Sequence, residues 1–480
     1  MLFNSLGFLI FFALVLLLFH GLLRSWSAKK LLLLAASWLF YASWSPRFLL
    51  LLIATTAVDY AFARVIWKRR WLTVGEEKPG GAAQARPILI ASLILNLGVL
   101  AVFKYGLFFW DSVTIFAPLP NAPKLLEMAV PLGISFYTFH SISYVIDTWR
   151  GVRAPCLSFS DYSLYVAFFP QLVAGPITRW GFFGPQLVTP TRVGRNHIEI
   201  ALFLLAVGYI KKVVCADSLG GFVDGVYARP DAAGQIGVIL AVYAYTFQIY
   251  FDFSGYTDIA MGVAALLGFR LPENFRHPYL AENPSEFWRR WHVSLSTWLR
   301  DYLYVPLGGN RRGGVRTYVN LFLTMLLGGL WHGAAWTFVL WGAFHGLWLG
   351  VHRYIGGRTA FGPANATVAR TPRTPLWLRR VATFHLVSFG WILFRAGSIE
   401  SFTAFMSALV TPSVLPGAFP IGPLLIVLIG LLTHGLALRR NLQHLWGRVP
   451  QPVQGMAYGV VVIAVALFSA QSGRFIYFQF

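Results

Sequence analysis

The chain has 480 residues, of which 57% are hydrophobic and only 12% are charged, so it has too little polar surface to coat a soluble globular protein. Its net charge of +21 would suggest nucleic-acid binding in a soluble protein, but here the basic residues cluster in short segments between apolar runs. This pattern predicts an all-α polytopic membrane protein with no nucleic-acid partner. The two cysteines, Cys156 and Cys215, lie far apart without metal-ligand spacing, so neither a metal site nor a disulfide framework is expected.

Long apolar runs recur along the whole chain. Residues 1–23 have no positively charged region before the apolar stretch and no small-x-small cleavage site, which predicts a retained span. A helix needs about 20 apolar residues to cross a bilayer. By this measure the candidate spans are 2–23, 31–44, 48–67, 88–110, 130–146, 198–214, 236–253, 317–330, 331–351, 381–394, 421–438 and 456–470.

Basic and non-basic connecting segments alternate, as the positive-inside rule requires. The segments rich in Lys or Arg are 24–30, 64–86, 149–153, 270–316, 352–380 and 439–448. The segments with few basic residues are 111–129, 218–235 and 396–420. Placing the basic segments in the cytoplasm puts both termini outside and predicts about eleven or twelve spans. We expect one membrane-embedded domain over residues 1–480.

The stretch YSLYVAFFPQLVAG, 162–175, does not fit this alternation because basic residues flank it on both sides, including Arg153 and Arg179. It is short and contains proline and glycine. These features favour a re-entrant segment whose backbone polar groups are satisfied by protein or water. The stretch 356–375 is the expected flexible connector.

Two carboxylates, Asp252 and Asp258, lie within YFDFSGYTDIAMG at the end of a candidate span. Carboxylates at that depth are costly unless they face protein or water. Their spacing separates them by about 120° on a helix, so joint acid–base catalysis is not expected. We expect pairing with an arginine, with a supporting role at a catalytic site as the alternative.

The predicted cytoplasmic segment 270–316 contains EFWRRWHVSLSTWLRDYL, at 286–303. A proline and a serine directly before it favour a helix start. On a helical wheel one face carries Phe287, Trp291, Leu295, Trp298 and Tyr302. The sequence therefore predicts one amphipathic helix that lies in the membrane interface or wedges into the bundle. His292 lies at the edge of the apolar face, either as an interfacial histidine or as a functional residue.

The segment 317–351 has 35 residues and no Lys, Arg, Asp or Glu. One helix of that length would extend about 50 Å, beyond a hydrocarbon core of about 30 Å, so we expect the segment to turn back. Gly328, Gly329 and Gly333 mark the place to break or pack closely. His332 then lies near the turn, deep in the protein.

A buried imidazole in a membrane protein is a candidate functional group, because its neutral form can accept a proton from a hydroxyl. For His332 the alternative is a structural hydrogen bond between helices. His345 lies about 220° further round a continuous helix, so it need not face the same cavity and is a secondary candidate. The chain has no GxSxG, HExxH or Walker motif.

Several stretches, taken in order, resemble the membrane-bound O-acyltransferase family: YFDFSGYTDIAMG, LPENFRHPYL, EFWRRWHVSLSTWLRDYLYVPLGGNRRG and NLFLTMLLGGLWHGAAWTFVLWGAFHG. Further stretches are similar to its bacterial branch that acts in alginate O-acetylation: LLLLAASWLFYASW, PLGISFYTFHSISYVIDTWRG, FFPQLVAGPITR and FIYFQF. The resemblance covers nearly the whole chain, and 286–309 is its most specific part.

The resemblance implies that His332, in the WHG motif, is the catalytic histidine and that His292, after FWRRW, is the second important position near the donor. Around them we expect supporting positions at His345, Trp331, Asp252 and Asp258, and donor- or interface-facing positions at Arg289, Arg290 and Trp291.

The implied activity is transfer of acyl groups, expected to be acetyl, from a cytoplasmic thioester such as acetyl-CoA across a bacterial inner membrane. The acceptor would be an exported polysaccharide, alginate or an alginate-like glycan. Implied partners are membrane lipid and an extracytoplasmic acetyltransferase, with no bound cofactor. The alternatives are D-alanyl, peptidoglycan or cellulose acylation within the same family, a proton-relaying transporter, and a non-catalytic assembly scaffold.

Overall fold

The computed structural model describes residues 1, 3–117, 120–189, 192–355, 361, 374–414, 419–437, 445–469 and 475–476. These residues are almost entirely helical, which confirms the all-α fold class. The chain packs as two compact units, the first made of Met1–Ala201 with Ala260–Pro272 and the second of Leu202–Ile259 with Glu273–Phe480. The single domain expected over 1–480 stays a prediction.

The first unit contains nine helices among its described residues, together with a short hairpin. Its helices are α1 (Leu6–Leu16), α2 (Trp26–Ala42), α3 (Pro46–Arg70), α4 (Gly81–Leu100), α5 (Gly106–Thr114), α6 (Ile134–Trp149), α7 (Phe159–Ala167), α8 (Phe169–Leu172) and α9 (Trp180–Val188). The strands β1 (Trp71–Thr73) and β2 (Glu76–Glu77) pair antiparallel. Local sequence starts these helices: the Ser25 hydroxyl accepts a hydrogen bond from the backbone N–H of Ala28 at 3.1 Å, as an N-cap should.

Aromatic side chains fill the core of the first unit. Phe8, Phe40 and Phe169 are all buried, and the ring centroids of Phe40 and Phe169 lie 5.8 Å apart. A buried carboxylate lies elsewhere in this unit: Asp59 accepts hydrogen bonds from Ser92 at 2.9 Å and from Asn96 at 2.8 Å. Hydrogen bonding of this kind offsets the cost of burying a polar side chain.

The boundary between the units falls within helices α10 (Arg195–Tyr209) and α12 (Gly234–Leu266). The second unit continues with α11 (Asp217–Ala228), α13 (Pro284–Arg290), α14 (Val293–Leu299), α15 (Gly314–His332), α16 (Trp336–Tyr354), α17 (Leu376–Arg395), α18 (Ile399–Val410), α19 (Ile421–Ala437) and α20 (Gln451–Phe468). A π-helical segment, Ile210–Ala216, joins α10 to α11, and another, Arg300–Tyr304, follows α14. Such segments shift the facing of adjacent side chains and are frequent at functional sites.

Long apolar helices confirm the membrane character predicted from composition. Among the described residues, four helical stretches are long and apolar enough to cross a bilayer: Pro46–Arg70, Gly81–Thr114, Asp231–Leu266 and Gln451–Phe468. Shorter apolar helices occur at Leu6–Leu22, Ile399–Val410 and Ile421–Gly435. The count of about eleven or twelve spans and the placement of both termini outside stay predictions.

The segment predicted to be re-entrant is broken into short pieces. It falls in α7 and α8, which have 9 and 4 residues and are separated by Phe168. Neither helix is long enough to cross a bilayer alone. Its placement in a membrane stays a prediction. Most of the connector expected at 356–375 lies outside the described residues.

Candidate functional site

His332 lies at the corner of a helical hairpin in the second unit. Helix α15 ends at His332 and α16 begins at Trp336, so the apolar segment 317–351 turns back as predicted. Gly333 follows the histidine with extended backbone angles and ends the first helix. A Cβ at Gly333 would lie 2.1 Å from the ring of Phe338, so only glycine fits at this corner without displacing that ring.

Two glycines bring α15 and α16 into direct backbone contact. A Cβ at Gly329 would lie 2.4 Å from the carbonyl oxygen of Phe338, and one at Gly342 would lie 2.5 Å from that of Met325. The helix continues through Gly328 and Gly329, so these residues do not form the turn. They permit close packing, as small residues do between membrane helices.

Aromatic rings enclose the imidazole of His332. Its centroid lies 5.0 Å from Trp331, 5.1 Å from Trp341 and 5.2 Å from Phe394, in edge-to-face arrangements. The side chain is only 3% exposed. The predicted burial of His332 near a turn is therefore confirmed, in surroundings that exclude bulk water.

The single continuous helix predicted over 286–303 is wrong. The chain forms two helices of seven residues each, α13 and α14, separated at Trp291 and His292. His292 has a φ of 42°, a left-handed conformation that is uncommon and strained for a residue other than glycine. This break turns the imidazole away from the edge of an apolar face and buries it fully. Helical periodicity alone could not reveal it, because the break depends on contacts made elsewhere in the unit.

Residues expected at the donor side or the interface have different environments. Trp291 is fully buried, and its ring centroid lies 4.8 Å from that of Trp391. This burial agrees with a segment that wedges into the helical bundle, which is one of the two placements expected for 286–303. Arg290 pairs with Glu286 one helical turn earlier, and Arg289 is half-buried. A role in binding the donor stays a prediction for these arginines.

A short chain of rings connects three histidines. The centroid of Trp331 lies 6.0 Å from that of His292 and 5.0 Å from that of His332. On the other side of His332, Trp341 contacts both His332 and His345, with centroids 5.1 Å and 4.7 Å away. The structure thus brings together His292, His332, His345 and Trp331, all of which the sequence had singled out.

His345 lies at the opposite end of this chain of rings from His292. It is fully buried, with Trp288 5.2 Å away and Phe287 6.1 Å away. Neither ring nitrogen has a hydrogen-bond partner among the residues that the structure describes. Gly390 on α17 gives it room, because a Cβ there would lie 3.2 Å from its Nε2. A supporting role for His345 stays a prediction.

Asp252 and Asp258 each pair with one of two consecutive lysines. Lys212 Nζ lies 2.6 Å from Asp252 and 2.7 Å from Asp217, and Lys211 Nζ lies 2.6 Å from Asp258. The structural pairing is confirmed, but the expected arginine partner is wrong. The π-helical segment that carries both lysines directs them to carboxylates six residues apart on α12. These ion pairs account for the burial of the charges.

The described part of the C-terminal segment packs against the same helix. The backbone N–H of Ile476 donates to the Asp252 carboxylate at 2.8 Å. Phe475 stacks on Tyr256, with centroids 4.7 Å apart, and contacts Phe253 at 5.8 Å. Phe253 in turn meets His292 edge-on at 4.7 Å. Asp252 therefore anchors Ile476, whose neighbour Phe475 packs against the phenyl ring that meets His292.

Sequence reasoning missed residues that organise this site. Asn274 hydrogen-bonds to His292, and Lys211 and Lys212 hold the aspartates. Consecutive lysines inside an apolar run were a usable signal, since a charge at such a place requires a partner. Nothing local distinguishes Asn274, because its partners lie 18 and 20 residues away.

Three imidazoles are the titratable side chains of this chain of rings. Burial lowers the pKa of His292 to about 3, so its ring is neutral at ordinary pH. Among the described residues no group of three or more His, Cys, Asp or Glu side chains is arranged to hold a metal ion. A neutral imidazole in an aromatic enclosure suits proton transfer to or from a hydroxyl or thiol.

Comparison with known proteins agrees with the motif order. A model of the membrane-bound O-acyltransferase family matches residues 152–396. The chain is 42% identical over 377 residues to a probable alginate O-acetylase of Pseudomonas aeruginosa, covering 78% of this chain and 68% of that protein. It is also 42% identical over 405 residues to a probable alginate O-acetylase of Azotobacter vinelandii, covering 82% and 75% of the two chains.

A relative with a different named substrate is nearly as similar. The chain is 37% identical over 399 residues to a peptidoglycan O-acetyltransferase of Helicobacter pylori, covering 78% of this chain and 72% of that protein. The family match extends from α7 to α17 and therefore includes the three histidines. This chain belongs to the membrane-bound O-acyltransferase family and is an integral membrane protein.

Proposed function

We propose that this chain is an O-acetyltransferase of a bacterial inner membrane, which passes acetyl groups from a cytoplasmic thioester towards an exported polysaccharide. Alginate or an alginate-like glycan is the acceptor that fits best, because the two 42% identical relatives are named probable alginate O-acetylases. The observation that carries the proposal is the buried His332 imidazole, enclosed by aromatic rings at the corner of α15 and α16.

In the proposed reaction, His332 is the general base. Its imidazole removes the proton from an acceptor hydroxyl as the oxygen attacks the thioester carbonyl carbon. A C–O bond forms, the C–S bond breaks, and the proton passes from the imidazolium to the departing thiolate. Histidine suits both steps because its charge changes near neutral pH. The surrounding indole and phenyl rings exclude water that would otherwise hydrolyse the thioester.

In this proposal His292 lies on the donor side. It is neutral and fully buried, and one indole, Trp331, separates its ring from that of His332. The helices on either side of it have seven residues each and cannot span a bilayer, in keeping with a position near one membrane face. Acetyl-CoA is the donor that we propose, and an extracytoplasmic acetyltransferase is the partner that completes the transfer.

The test measures the acetate content of the polysaccharide made by cells that carry His332→Gln in place of the wild-type chain. Glutamine fills much of the imidazole volume but cannot act as a base, so we expect acetate to fall by about a hundredfold. His385→Gln is the matched control, because His385 is exposed on α17 outside the ring chain. Protein levels and elution profiles in detergent must match among the three chains.

Normal acetate in the His332→Gln cells would overturn the catalytic assignment and favour the scaffold alternative. Loss of acetate with His332→Gln but not with His385→Gln would support the enzyme. A transporter would release no thiol from acetyl-CoA when purified, which separates it from a transferase.

Peptidoglycan is the second candidate acceptor. The 37% identity to the Helicobacter pylori peptidoglycan O-acetyltransferase, over 78% of this chain, favours it. Fractionating the cells into exopolysaccharide and peptidoglycan before measuring ester-linked acetate distinguishes the two acceptors. The fraction that loses acetate in the His332→Gln strain identifies the substrate.

A further inference from the structure

One carboxamide, that of Asn274, holds the turn on which His292 lies. Asn274 is 1% exposed. Its Oδ1 lies 3.3 Å from His292 Nδ1, 3.2 Å from the backbone N of Ser294 and 2.6 Å from the Ser294 hydroxyl. A carbonyl oxygen can accept from several donors at once, so one side chain serves the whole turn.

The backbone fixes which way this carboxamide faces. The oxygen and nitrogen of an asparagine are assigned from their partners, and a backbone N–H can only donate. The N–H of Ser294 therefore requires the oxygen of Asn274 on its side. The same oxygen faces His292 Nδ1, so that ring nitrogen must carry the proton and donate it.

Once Nδ1 donates, the other ring nitrogen of neutral His292 is the proton acceptor. Nε2 is buried and has no hydrogen-bond partner in the part of the chain that the structure describes. Phe253 and Trp331 meet this ring edge-on, with ring centroids 4.7 Å and 6.0 Å from that of His292. The free lone pair is thus available to a substrate.

Backbone pairing makes the arrangement rigid. The N–H of Val293 donates to the Asn274 carbonyl at 3.0 Å, and the N–H of Arg276 donates to the Arg290 carbonyl at 2.9 Å. These bonds join the segment at 274–276 to both sides of the break between α13 and α14. They hold His292 in a left-handed conformation, which is strained for a residue other than glycine.

We propose that Asn274 is a positioning residue that fixes His292 as its Nδ1–H tautomer, so that Nε2 accepts or relays a proton during acyl transfer. The role is that of a group hydrogen-bonded behind a functional histidine, where the partner sets both the tautomer and the orientation of the ring. This inference rests on the proposed acetyltransferase function.

The experiment measures thiol release from acetyl-CoA by the purified full-length protein, with an alginate oligosaccharide as the hydroxyl acceptor, as kcat and KM for the wild type, Asn274→Leu, Asn274→Asp and Ser294→Ala. Leucine keeps the volume but removes the acceptor, so we expect kcat to fall about tenfold or more with little change in KM. Aspartate still accepts from Nδ1–H and from Ser294, so we expect it to restore most of the activity. Ser294→Ala removes one donor to the turn but leaves the hydrogen bond between Asn274 and His292. We therefore expect kcat to fall by less than about threefold.

A double-mutant cycle separates tautomer control from simple support of the turn. If Asn274 acts through His292, Asn274→Leu will lower kcat no further in a His292→Ala background. An equal fall in both backgrounds would overturn the inference, as would equal losses in Asn274→Leu and Ser294→Ala. Failure of the proposed function has a different signature, in which wild type and His332→Gln release thiol at the same rate.

Discussion

The imidazole of His332 meets the indole of Trp341 nearly at right angles, with ring centroids 5.1 Å apart and planes at 86°. Trp341 is fully buried, and its ring centroid lies 4.7 Å from that of His345. Such aromatic contacts are worth about 0.5–1.5 kcal/mol beyond the area that they bury. One indole therefore packs against both the candidate base and His345.

Replacing this indole tests how far the enclosure of His332 matters. We expect Trp341→Ala to destabilise the protein by about 3–5 kcal/mol, and Trp341→Phe to do so by less, because phenylalanine leaves a smaller cavity. Thermal unfolding in detergent and polymer acetate per folded protein are the two measurements. If Trp341→Ala unfolds at the wild-type temperature, the packing described around His332 is incorrect.

Helix contact through glycine gives a second prediction. A Cβ at Gly342 would lie 2.5 Å from the Met325 carbonyl oxygen, whereas one at Gly350 would lie 3.6 Å from the ring of Tyr318, an ordinary contact. Both glycines lie on α16. We expect Gly342→Ala to destabilise the protein by about 1–3 kcal/mol through overpacking, and Gly350→Ala to be neutral or stabilising. The unfolding temperature of Gly342→Ala should therefore be lower than that of Gly350→Ala. The reverse order would contradict the close contact at Gly342.

The buried ion network predicts unequal roles for two adjacent lysines. The side chains of Lys212 and Asp252 are 6% and 2% exposed, whereas those of Lys211 and Asp258 are 22% and 20% exposed. Lys212→Met removes the cation that Asp252 and Asp217 share and should cost about 3–5 kcal/mol. Lys211→Met should cost less, because Lys211 and Asp258 are less buried. Comparing unfolding temperatures and expression levels checks this, and equal losses would count against the network.

His292 predicts a dependence of stability on pH. Burial lowers its pKa in the folded protein to about 3, below the value of 6.5 for an unperturbed histidine. Between these values the unfolded chain binds one proton more than the folded chain, so the contribution of this residue is lost as pH falls. His292→Asn cannot titrate, so its unfolding temperature should drop less than that of wild type between about pH 7 and about pH 5. An equal fall in unfolding temperature with pH for the two proteins would contradict the burial of a neutral imidazole.

Much of the architecture could be predicted because it is written in short-range patterns. Apolar length alone indicated a helical membrane protein, and a 35-residue apolar run had to fold back on itself within a bilayer. The order of motifs around His332 and His292 identified the family before any geometry was known. The glycines at 328–333 were correctly expected to break the helix or to allow close helix packing. The two effects belong to different residues, because Gly329 allows the packing and Gly333 ends the helix.

The environment of His292 shows why the remainder could not be predicted. Helical periodicity over 286–303 favoured one continuous interfacial helix, yet the chain breaks at His292 and buries it. The break is stabilised by Asn274, which lies 18 residues earlier. Likewise, Asp252 was expected to pair with an arginine, but its partner is Lys212. A π-helical segment brings this lysine into place.

The sequence by itself determined that the protein lies in a membrane, that it is helical, which family it belongs to and which histidines are candidates for the site. Each of these depends on composition or on residues that are neighbours in the chain. Only the tertiary structure decided that Trp331 and Trp341 join three histidines, and that Asn274 faces Nδ1 of His292 with an oxygen. These relationships depend on distances between residues far apart in sequence. Packing and hydrogen bonding, not local preference, set such distances.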